Sequence, residues 1–458
     1  MKALPPGLDF AGDLRPATEV SFLYDDTWLN ALGQRQVEQH IFDAVFAMVQ
    51  GARRFLLLDM FLYNDFQGEP AEQTRALARE LTERLVSQQQ LYPEMIIIVI
   101  TDPINLVYGG LPSVYFETLQ AAGITVVITD LEPLPDSNPA YSVLWRWLLR
   151  PFGNSRARSL PNPFGAGRVS VRSWLRMLNF KANHRKLVIA DRGQDYLGLV
   201  TSANPHDGSS AHRNVALRFN GQAVRDLWHS EAAVLALSGA PLPQVDVGDC
   251  GSSPGPDSPY AHSPYNVQLL TEHKIKSGLL HMLAALGTGD RLDVMMFYLA
   301  ERALVMALQE AHHRGAQVRI ILDPNKDAFG FKKNGIPNRP VAAELVRAGL
   351  PVRWCTTQGE QCHVKMVITH TADGNSQLLL GSANLTRRNL DNFNLESDIL
   401  LQATTTSPAI MQAEAMFNRS WTNLPGRQFT TAYSGYGATS RLMYWLYRFQ
   451  EATGISTF

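Results

Sequence analysis

One short motif occurs twice in this sequence and constrains the fold more than any other feature. The first copy is His184-Arg-Lys186 and the second is His363-Val-Lys365. Each copy runs into an apolar stretch, and each is followed by a Ser-Ala-Asn tripeptide, at residues 202–204 and 382–384. A single His-x-Lys is unremarkable in a chain of 458 residues. Two copies in the same context indicate two related half-sites in a duplicated chain.

The duplication extends to the predicted secondary structure. Apolar periodicity predicts strands that alternate with helices, in the same order, in both halves. In the first half the elements lie at residues 20–24, 41–49, 55–61, 74–86, 95–102, 114–123 and 124–128, and in the second half at residues 267–270, 275–286, 292–298, 303–314, 318–323, 341–349 and 350–352. Gly123 and Gly349 follow the third helix of each half, where a left-handed residue is typical. This alternation predicts an α/β sheet in each half.

Composition also suggests where the halves join. Residues 238–264 are rich in Gly, Pro and Ser and lack periodicity, which is typical of a linker. We therefore predict an N-terminal domain at residues 1–237 and a C-terminal domain at residues 265–458. The alternative is a long surface loop within a single domain.

The first half is the longer one, because it carries an insertion at residues 131–180. Within residues 137–183 there are seven arginines and one lysine, no Asp or Glu, and three tryptophans, Trp145, Trp147 and Trp174. Arginine and tryptophan together suit an anionic membrane interface. The alternative is a solvated loop whose aromatic residues pack on the core. The aromatic helix around Trp445 presents the same choice, and there we favour docking onto the core.

Composition argues against several classes of protein. The formal net charge is −1, so no general basic field attracts nucleic acid. The three cysteines, at positions 250, 355 and 362, are predicted to be reduced thiols, because they are too few for a disulfide framework or a four-ligand zinc site. No signal segment or membrane-spanning run is evident. We expect a cytoplasmic protein that is either soluble or peripheral on the inner face of the cell membrane.

The motif residues suit phosphodiester chemistry. Alternate side chains of a strand share a face, so the histidine and lysine of each motif project together. If the halves meet about a pseudo-twofold axis, lysines and asparagine amides can hold the charge of a five-coordinate phosphorus. One histidine can attack phosphorus and form a phosphohistidine, while the other protonates the departing alkoxide and then deprotonates water or an alcohol. This scheme requires neither a metal nor another cofactor.

The paired motifs resemble the signature of the phospholipase D superfamily, which is His-x-Lys-x4-Asp twice, each followed by a Gly/Ser-x-Asn element. The resemblance covers roughly residues 20–425, and the chain is most similar to bacterial cardiolipin synthase-like members. It implies two repeated α-β-α sandwich domains, related by a pseudo-twofold axis, with one shared active site. It also implies a phospholipid substrate. The basic, aromatic insertion indicates an anionic membrane surface as a partner, and the near-neutral charge argues against nucleic acid.

The resemblance assigns roles to individual residues. It implies that His184 is the nucleophile and that His363 is the general acid and base. The remaining site residues are phosphate-binding Lys186, Lys365, Asn204 and Asn384, supporting Ser202 and Ser382, and substrate-contacting Asn214 and Asn394.

The sequence departs from the superfamily pattern in the first half. In many relatives an acid downstream of the asparagine orients a histidine. Asn394-Leu-Glu396 supplies Glu396 in the second half, but the first half has Asn214-Val-Ala216 instead. Its carboxylate is therefore absent or comes from elsewhere, with Asp207 as a candidate. This asymmetry leaves open which histidine is the nucleophile.

A second departure affects the motif itself. Asp191 completes the first His-x-Lys-x4-Asp, whereas His370 stands at that position in the second. On a regular strand this position faces away from the motif histidine. We therefore predict that Asp191 is a structural anchor at the strand end and that His370 is tolerated there. The alternative is a degenerate second half-site.

Three functions follow from these observations. The leading hypothesis is an enzyme that cleaves the distal phosphodiester of a phospholipid and passes the phosphatidyl group to an alcohol, as in cardiolipin synthesis, or to water, which gives phosphatidic acid. The second is a nuclease of the same superfamily, which the arginine-rich insertion favours and the near-neutral charge opposes. The third is an inactive binding protein, which both retained His-x-Lys pairs oppose.

Overall fold

The computed structural model describes residues 4–68, 72–154, 157–245, 247, 263–328, 331–436 and 440–454. Its strands are β1 (Arg15–Ala17), β2 (Val20–Asn30), β3 (Arg35–Glu38), β4 (Phe55–Met60), β5 (Ile96–Thr101), β6 (Thr125–Ile128), β7 (Leu160–Pro161), β8 (Arg168–Val169), β9 (Lys186–Arg192), β10 (Asp195–Thr201), β11 (Asn214–Asn220), β12 (Tyr265–Thr271), β13 (Arg291–Met296), β14 (Gln317–Leu322), β15 (Asp327–Ala328), β16 (Phe331–Lys332), β17 (Val352–Cys355), β18 (Lys365–His370), β19 (Asn375–Gly381), β20 (Ser397–Thr404), β21 (Arg427–Gln428) and β22 (Thr430–Ala432).

The α-helices are α1 (Ile41–Gly51), α2 (Leu77–Leu91), α3 (Val114–Ala121), α4 (Pro139–Leu144), α5 (Val171–Met177), α6 (Ala223–Leu237), α7 (His273–Ala284), α8 (Arg302–His313), α9 (Asn338–Arg347), α10 (Arg387–Leu390), α11 (Pro408–Thr422) and α12 (Arg441–Thr453). Helix α2 begins three residues after its predicted start, because the Asp207 carboxylate accepts a hydrogen bond from the Ala78 N–H and caps the first turn there. Gly123 and Gly349 have the predicted left-handed backbone, with φ of 87° and 89°.

Two large sheets repeat one strand order. In the first sheet β11, β10, β9, β4, β5 and β6 follow one another, and in the second sheet β20, β19, β18, β13, β14 and β17 do so. The strands β4, β5 and β6 are parallel, as are β13, β14 and β17, whereas β9 and β18 run antiparallel to their neighbours. The repeated order confirms the predicted duplicated α/β fold.

The hydrophobic core is arranged in layers. Helices α1, α2 and α3 cover the outer face of the first sheet, and α7, α8 and α9 cover the outer face of the second. The inner faces of both sheets share one continuous core with α6 and α11, which includes Leu227 and Phe417. Each sheet is thus sandwiched between helices, and the two sandwiches share their central layer.

Short strands are exchanged between the halves. Strand β1, near the start of the chain, pairs antiparallel with β12 of the second sheet, and β21 of the second half pairs with β2 of the first. The proposed domain limits remain a prediction. Of the proposed linker at residues 238–264, residues 246 and 248–262 lie outside the described part of the chain.

The insertion at residues 131–180 folds into α4, α5, the β7–β8 hairpin and irregular helical turns. Trp145 is buried within it, whereas Trp147 is 78% exposed. Helix α12 docks through the fully buried Tyr447, as expected, but leaves Trp445 68% exposed. Among the described residues, none of the helices is both long and apolar enough to cross a bilayer.

The prediction of reduced thiols is wrong for two of the three cysteines. Cys355 and Cys362 form a disulfide, and their Cα atoms are 6.2 Å apart. The reason is topological, because β17 ends beside the loop that leads into the second motif and brings the two residues within disulfide range. Cys250 lies outside the described residues.

Candidate active site

The two motif histidines share one cavity. His184 precedes β9 at the centre of the first sheet, and His363 precedes β18 at the equivalent place in the second. Both line a cavity of about 400 Å³. The other lining residues are Phe61, Leu62, Asn64, Phe66, Ile104, Tyr108, Pro163, Phe164, Met177, Phe180, Lys181, Ala182, Asn204, His206, Phe297, Tyr298, Lys333, Gln361, Asn384, Arg388, Asn389 and Asn394. The duplicated half-sites therefore meet in a single site.

Backbone hydrogen bonds cross between the halves at both histidines. The His184 N–H donates to the Leu395 carbonyl at 2.8 Å. Two residues before each histidine the halves form equivalent contacts, in which the Leu395 N–H donates to the Ala182 carbonyl and the Arg213 N–H to the Gln361 carbonyl, each at 3.0 Å. Each motif is thereby held next to the segment of the other half that precedes β11 or β20. The histidine of one half consequently meets a polar side chain of the other.

Glu396 is the partner of His184. Its Oε2 lies 2.9 Å from His184 Nδ1 and accepts a hydrogen bond from Ser382 Oγ at 2.5 Å. Asn389 Nδ2 donates to the other carboxylate oxygen. Burial alone would raise the pKa of Glu396, but His184, Lys186 and Ser382 hold it below its usual value. Burial lowers the pKa of His184 to about 4, although Glu396 opposes that shift. The fully buried carboxylate fixes the ring with Nε2 away from it.

Asn214 is the partner of His363. Its Oδ1 lies 3.1 Å from His363 Nδ1 and accepts from Ser202 Oγ at 3.1 Å. Because Asn214 Nδ2 donates to the His212 carbonyl, Oδ1 is the atom that faces the histidine. Burial lowers the pKa of His363 well below its usual value, and Lys365 adds to this. An amide therefore occupies the position that a carboxylate occupies in the other half.

This geometry corrects the alignment of the two halves. Asn214, and not Ala216, stands where Glu396 stands in the second half, because each binds the serine of its own half and the histidine of the other. Asp207 does not substitute for the missing carboxylate, since it caps α2 instead. No pattern in the sequence indicates this equivalence, because it depends on backbone contacts between the two halves.

The motif lysines lie behind the histidines, not on the cavity lining. Lys186 Nζ donates to the His184 carbonyl at 2.5 Å and lies over the ring of Phe61. Lys365 Nζ donates to the His363 carbonyl at 3.0 Å and lies over the ring of Phe297. Burial lowers the pKa of Lys186 to about 7. Burial also lowers the pKa of Lys365 well below its usual value.

The two phenylalanines were missed by sequence reasoning. Phe61 and Phe297 directly follow β4 and β13, and their rings lie 4.6 and 5.1 Å from the rings of His184 and His363. Their equivalent places in the repeat were the available signal. Each ring packs against one motif histidine and one motif lysine, and so restricts the freedom of both.

Two aspartates were also missed. Asp102 accepts a hydrogen bond from the Asn183 N–H at 2.7 Å, and Asp323 accepts one from the Cys362 N–H at 2.8 Å. Both donors immediately precede a motif histidine. Burial raises the pKa of Asp102 to about 7 and that of Asp323 to about 6. The Asp-Pro dipeptide at the same place in both halves was the sequence signal for this pair.

The predicted asparagines divide into two groups. Asn204, Asn384 and Asn394 line the cavity, whereas Asn214 lies behind His363. Asn204 Oδ1 accepts a hydrogen bond from the Leu62 N–H at 3.1 Å, so the amide nitrogen of Asn204 points away from Leu62. The buried Oδ1 atoms of Asn384 and Asn394 have no hydrogen-bond partner within the described structure. These three amides are therefore available to a ligand.

The fifth residue after each motif lysine lies at the far end of its strand. Asp191 accepts hydrogen bonds from three successive backbone N–H groups, of residues 53–55, each at 2.9 Å. His370 instead contacts Ser376 Oγ through Nδ1 at 2.8 Å. Neither residue lines the cavity. The aspartate position is thus occupied by a residue that joins neighbouring strands in both halves.

Comparison with known proteins finds similarity to a family model in the second half of the chain. Residues 282–421 match the family model described as "Cardiolipin synthase, PLD-like domain". No curated protein matches the sequence. The match covers the second motif and the strands around it.

The fold extends the similarity to the rest of the chain. Phosphatidylserine synthase from Haemophilus influenzae is similar over 96% of this chain and 95% of its own, with a TM-score of 0.58 and 12% identity. Weaker likenesses are to polyphosphate kinase from Porphyromonas gingivalis (95% of this chain, 53% of that one, TM-score 0.47, 12% identity) and to the phospholipase D family member Nuc from Salmonella typhimurium (36% and 97%, 0.27, 17%). The family match over residues 282–421 and the shared fold confirm the predicted resemblance to the phospholipase D superfamily.

Proposed function

We propose that the protein transfers a phosphatidyl group from a phospholipid to an alcohol through a phosphohistidine on His184, as a cardiolipin synthase-like enzyme. The observation that carries the proposal is the crossed pairing of two histidines on one cavity, one with a carboxylate and one with an amide. The family match over residues 282–421 and the likeness to the phosphatidylserine synthase fold support phosphatidyl chemistry.

The different partners assign different roles to the histidines. A histidine phosphorylated at Nε2 that keeps its Nδ1 proton is cationic, and the Glu396 carboxylate can stabilise that charge. The amide of Asn214 stabilises a charged ring less, so His363 releases its proton more readily. His184 is accordingly the nucleophile and His363 the general acid and base.

The first half of the reaction breaks the bond to the headgroup. His184 Nε2 attacks phosphorus, the bond from phosphorus to the headgroup oxygen breaks, and that oxygen takes a proton from His363. In the second half, an acceptor hydroxyl gives its proton to His363 and attacks phosphorus, and the bond to His184 breaks. A glycerol hydroxyl of phosphatidylglycerol as the acceptor gives cardiolipin. Water as the acceptor gives phosphatidic acid.

Side chains in and behind the cavity lining can stabilise the negative charge on the non-bridging oxygens of the phosphate. The amides of Asn204 and Asn384 line it and can donate to non-bridging oxygens. Lys186 and Lys365 lie immediately behind, and an anionic phosphate would favour their charged forms, which burial otherwise disfavours. The serines act indirectly. Ser202 donates a hydrogen bond to Asn214 and Ser382 donates one to Glu396, and these two residues contact the histidines.

The lining of the cavity favours one class of headgroup. Lys181, Lys333 and Arg388 line it, while Asp and Glu are absent from its described lining. Lys181 is paired with Asp136 at 3.0 Å, so a cationic headgroup would meet like charge mainly from Lys333 and Arg388, whereas a polyol or anionic headgroup would meet donors. Phosphatidylglycerol fits this lining. Such a substrate lies in a bilayer, so we place the protein at an anionic membrane surface, on the inner face of the cell membrane.

The second candidate function is a nuclease, and the arginines of the insertion favour it. A nucleic acid would require a basic path along the surface, and the chain has a net charge of −1. The cavity is also walled by aromatic residues such as Phe66, Phe164 and Phe180, which suit a lipid. We therefore rank phospholipid chemistry, with transfer ahead of hydrolysis, above nucleic-acid cleavage.

Product analysis tests the proposal. Vesicles of labelled phosphatidylglycerol should yield cardiolipin and free glycerol, and His184→Ala should abolish both. His281→Ala is a matched control, because His281 is exposed on α7. Phosphatidic acid as the sole product would establish a hydrolase. Cleavage of single-stranded DNA that is lost in His184→Ala, with no lipid turnover, would establish the nuclease.

A further inference from the structure

The insertion presents an apolar stripe to solvent. Helix α4 continues through irregular turns to residue 152, and an exposed apolar side chain recurs about every four residues along it. The stripe consists of Val143 (49% exposed), Leu144 (46%), Trp147 (78%), Leu148 (59%) and Phe152 (86%). The opposite face is held to the protein by the buried Trp145 and by an ion pair of 2.8 Å between Arg146 and Asp136. These contacts fix the inner face of the helix, so its apolar side faces solvent.

Helix α12 presents a second stripe of the same kind. Leu442, Trp445, Leu446 and Phe449 follow the spacing of one helix face and are 77%, 68%, 40% and 55% exposed. The inner face is fixed by Tyr447, whose hydroxyl donates to the Ala300 carbonyl at 2.7 Å. Docking of α12 onto the core leaves these four side chains uncovered.

The elements that carry the two stripes adjoin beside the cavity. Arg388 lines the cavity, lies over the ring of Phe180 and donates to the carbonyl of Gly454, which follows α12. Ser137, just before α4, donates to the Phe180 carbonyl and lines one groove with Gly454. The two helices thus flank the wall that the insertion contributes to the cavity.

We infer that the two stripes form a docking surface for the face of an anionic phospholipid bilayer. Large exposed apolar side chains mark surfaces that are covered by a partner. Tryptophan beside arginine is typical of the lipid interface, and Arg150, Arg158 and Arg168 of the insertion are exposed. A bilayer on this surface would present lipids next to the cavity. The role of this surface in delivering substrate rests on the proposed function, but binding to the bilayer can be measured without turnover.

Sedimentation with vesicles tests the inference. The perturbed proteins are the double variants Trp147→Glu/Phe152→Glu and Trp445→Glu/Phe449→Glu. Each should bind phosphatidylglycerol vesicles at least about tenfold more weakly, because a glutamate at the interface loses apolar contact and repels anionic lipid. Leu32→Glu is the matched control, since Leu32 is 80% exposed in the turn after β2, and its binding should be unchanged.

Four further outcomes separate the explanations. Turnover of a dispersed short-chain phosphatidylglycerol should be unchanged in both double variants, which also shows that they are folded. Unchanged vesicle binding in both would overturn the inference. A change in mass by light scattering, with vesicle binding unaltered, would overturn it in favour of a second copy of this chain. Vesicle binding without turnover of any phosphodiester would uphold the docking surface and refute the proposed function.

Discussion

Glu396→Gln tests the asymmetry of the site most sharply. The substitution keeps the shape of the side chain and removes the charge that faces His184 Nδ1 at 2.9 Å. A buried hydrogen bond to a charged group contributes about 1.5–3 kcal/mol. The glutamine can also turn its amide nitrogen toward Nδ1, which would favour the unproductive tautomer. We expect kcat to fall about 10–100-fold, with the larger part of the loss in phosphohistidine formation.

The assay is single-turnover release of glycerol from labelled phosphatidylglycerol, in mixed micelles so that bilayer docking does not limit the rate. Glu344→Gln is the control, because Glu344 pairs with Arg302 outside the cavity. The burst of released glycerol should slow in Glu396→Gln while substrate binding changes little. A burst rate equal to that of the control would refute the reasoning, since it would mean that the carboxylate does not stabilise the charged ring.

Three further predictions concern stability. Asp191→Ala should lower the free energy of unfolding by about 2–3 kcal/mol, because three backbone donors lose their acceptor, whereas His370→Ala should cost less. His206 is buried and its pKa is lowered to about 4 by burial, so its contribution is present above its unfolded pKa and lost as the pH falls through about 4. In His206→Gln the loss of unfolding free energy between pH 6.5 and pH 4 should be smaller by about 3 kcal/mol than in the unaltered protein. Cys355→Ser should cost about 2.5 kcal/mol in oxidised protein, through the short loop that the disulfide closes.

Denaturant unfolding measures all three. Equal losses in Asp191→Ala and His370→Ala would contradict the anchoring role of the aspartate. A parallel pH dependence of His206→Gln and the unaltered protein between pH 6.5 and pH 4 would contradict the burial of a neutral imidazole. An equal midpoint for Cys355→Ser and the unaltered protein, both without reductant, would contradict the disulfide.

Local patterns in the sequence predicted the repeat and most of its elements. Runs of apolar residues located the strands that follow His184 and His363, because a buried strand consists mainly of consecutive apolar residues. The same reasoning could not locate the partner of His363, since Asn214 reaches it only through the crossed backbone contact between halves. Distance along the chain says nothing about such exchanges.

The placement of side chains behind the site was also beyond the sequence. Ser202 and Ser382 were expected beside phosphate, but tight packing turns them toward Asn214 and Glu396. Cys355 and Cys362 were expected to be reduced, because nothing local indicates that β17 ends beside the second motif. Chemistry-bearing residue types could be read from the chain, whereas their mutual orientation required the packed halves.

Trapping of the covalent intermediate tests the central claim most directly. The protein is mixed with a phospholipid labelled on phosphorus, quenched in alkali and digested, and the labelled peptide is identified. The label should lie on His184 during turnover and should be absent from His184→Ala. A label on His363, or turnover in which neither histidine is ever labelled, would contradict the assignment of His184 as the nucleophile.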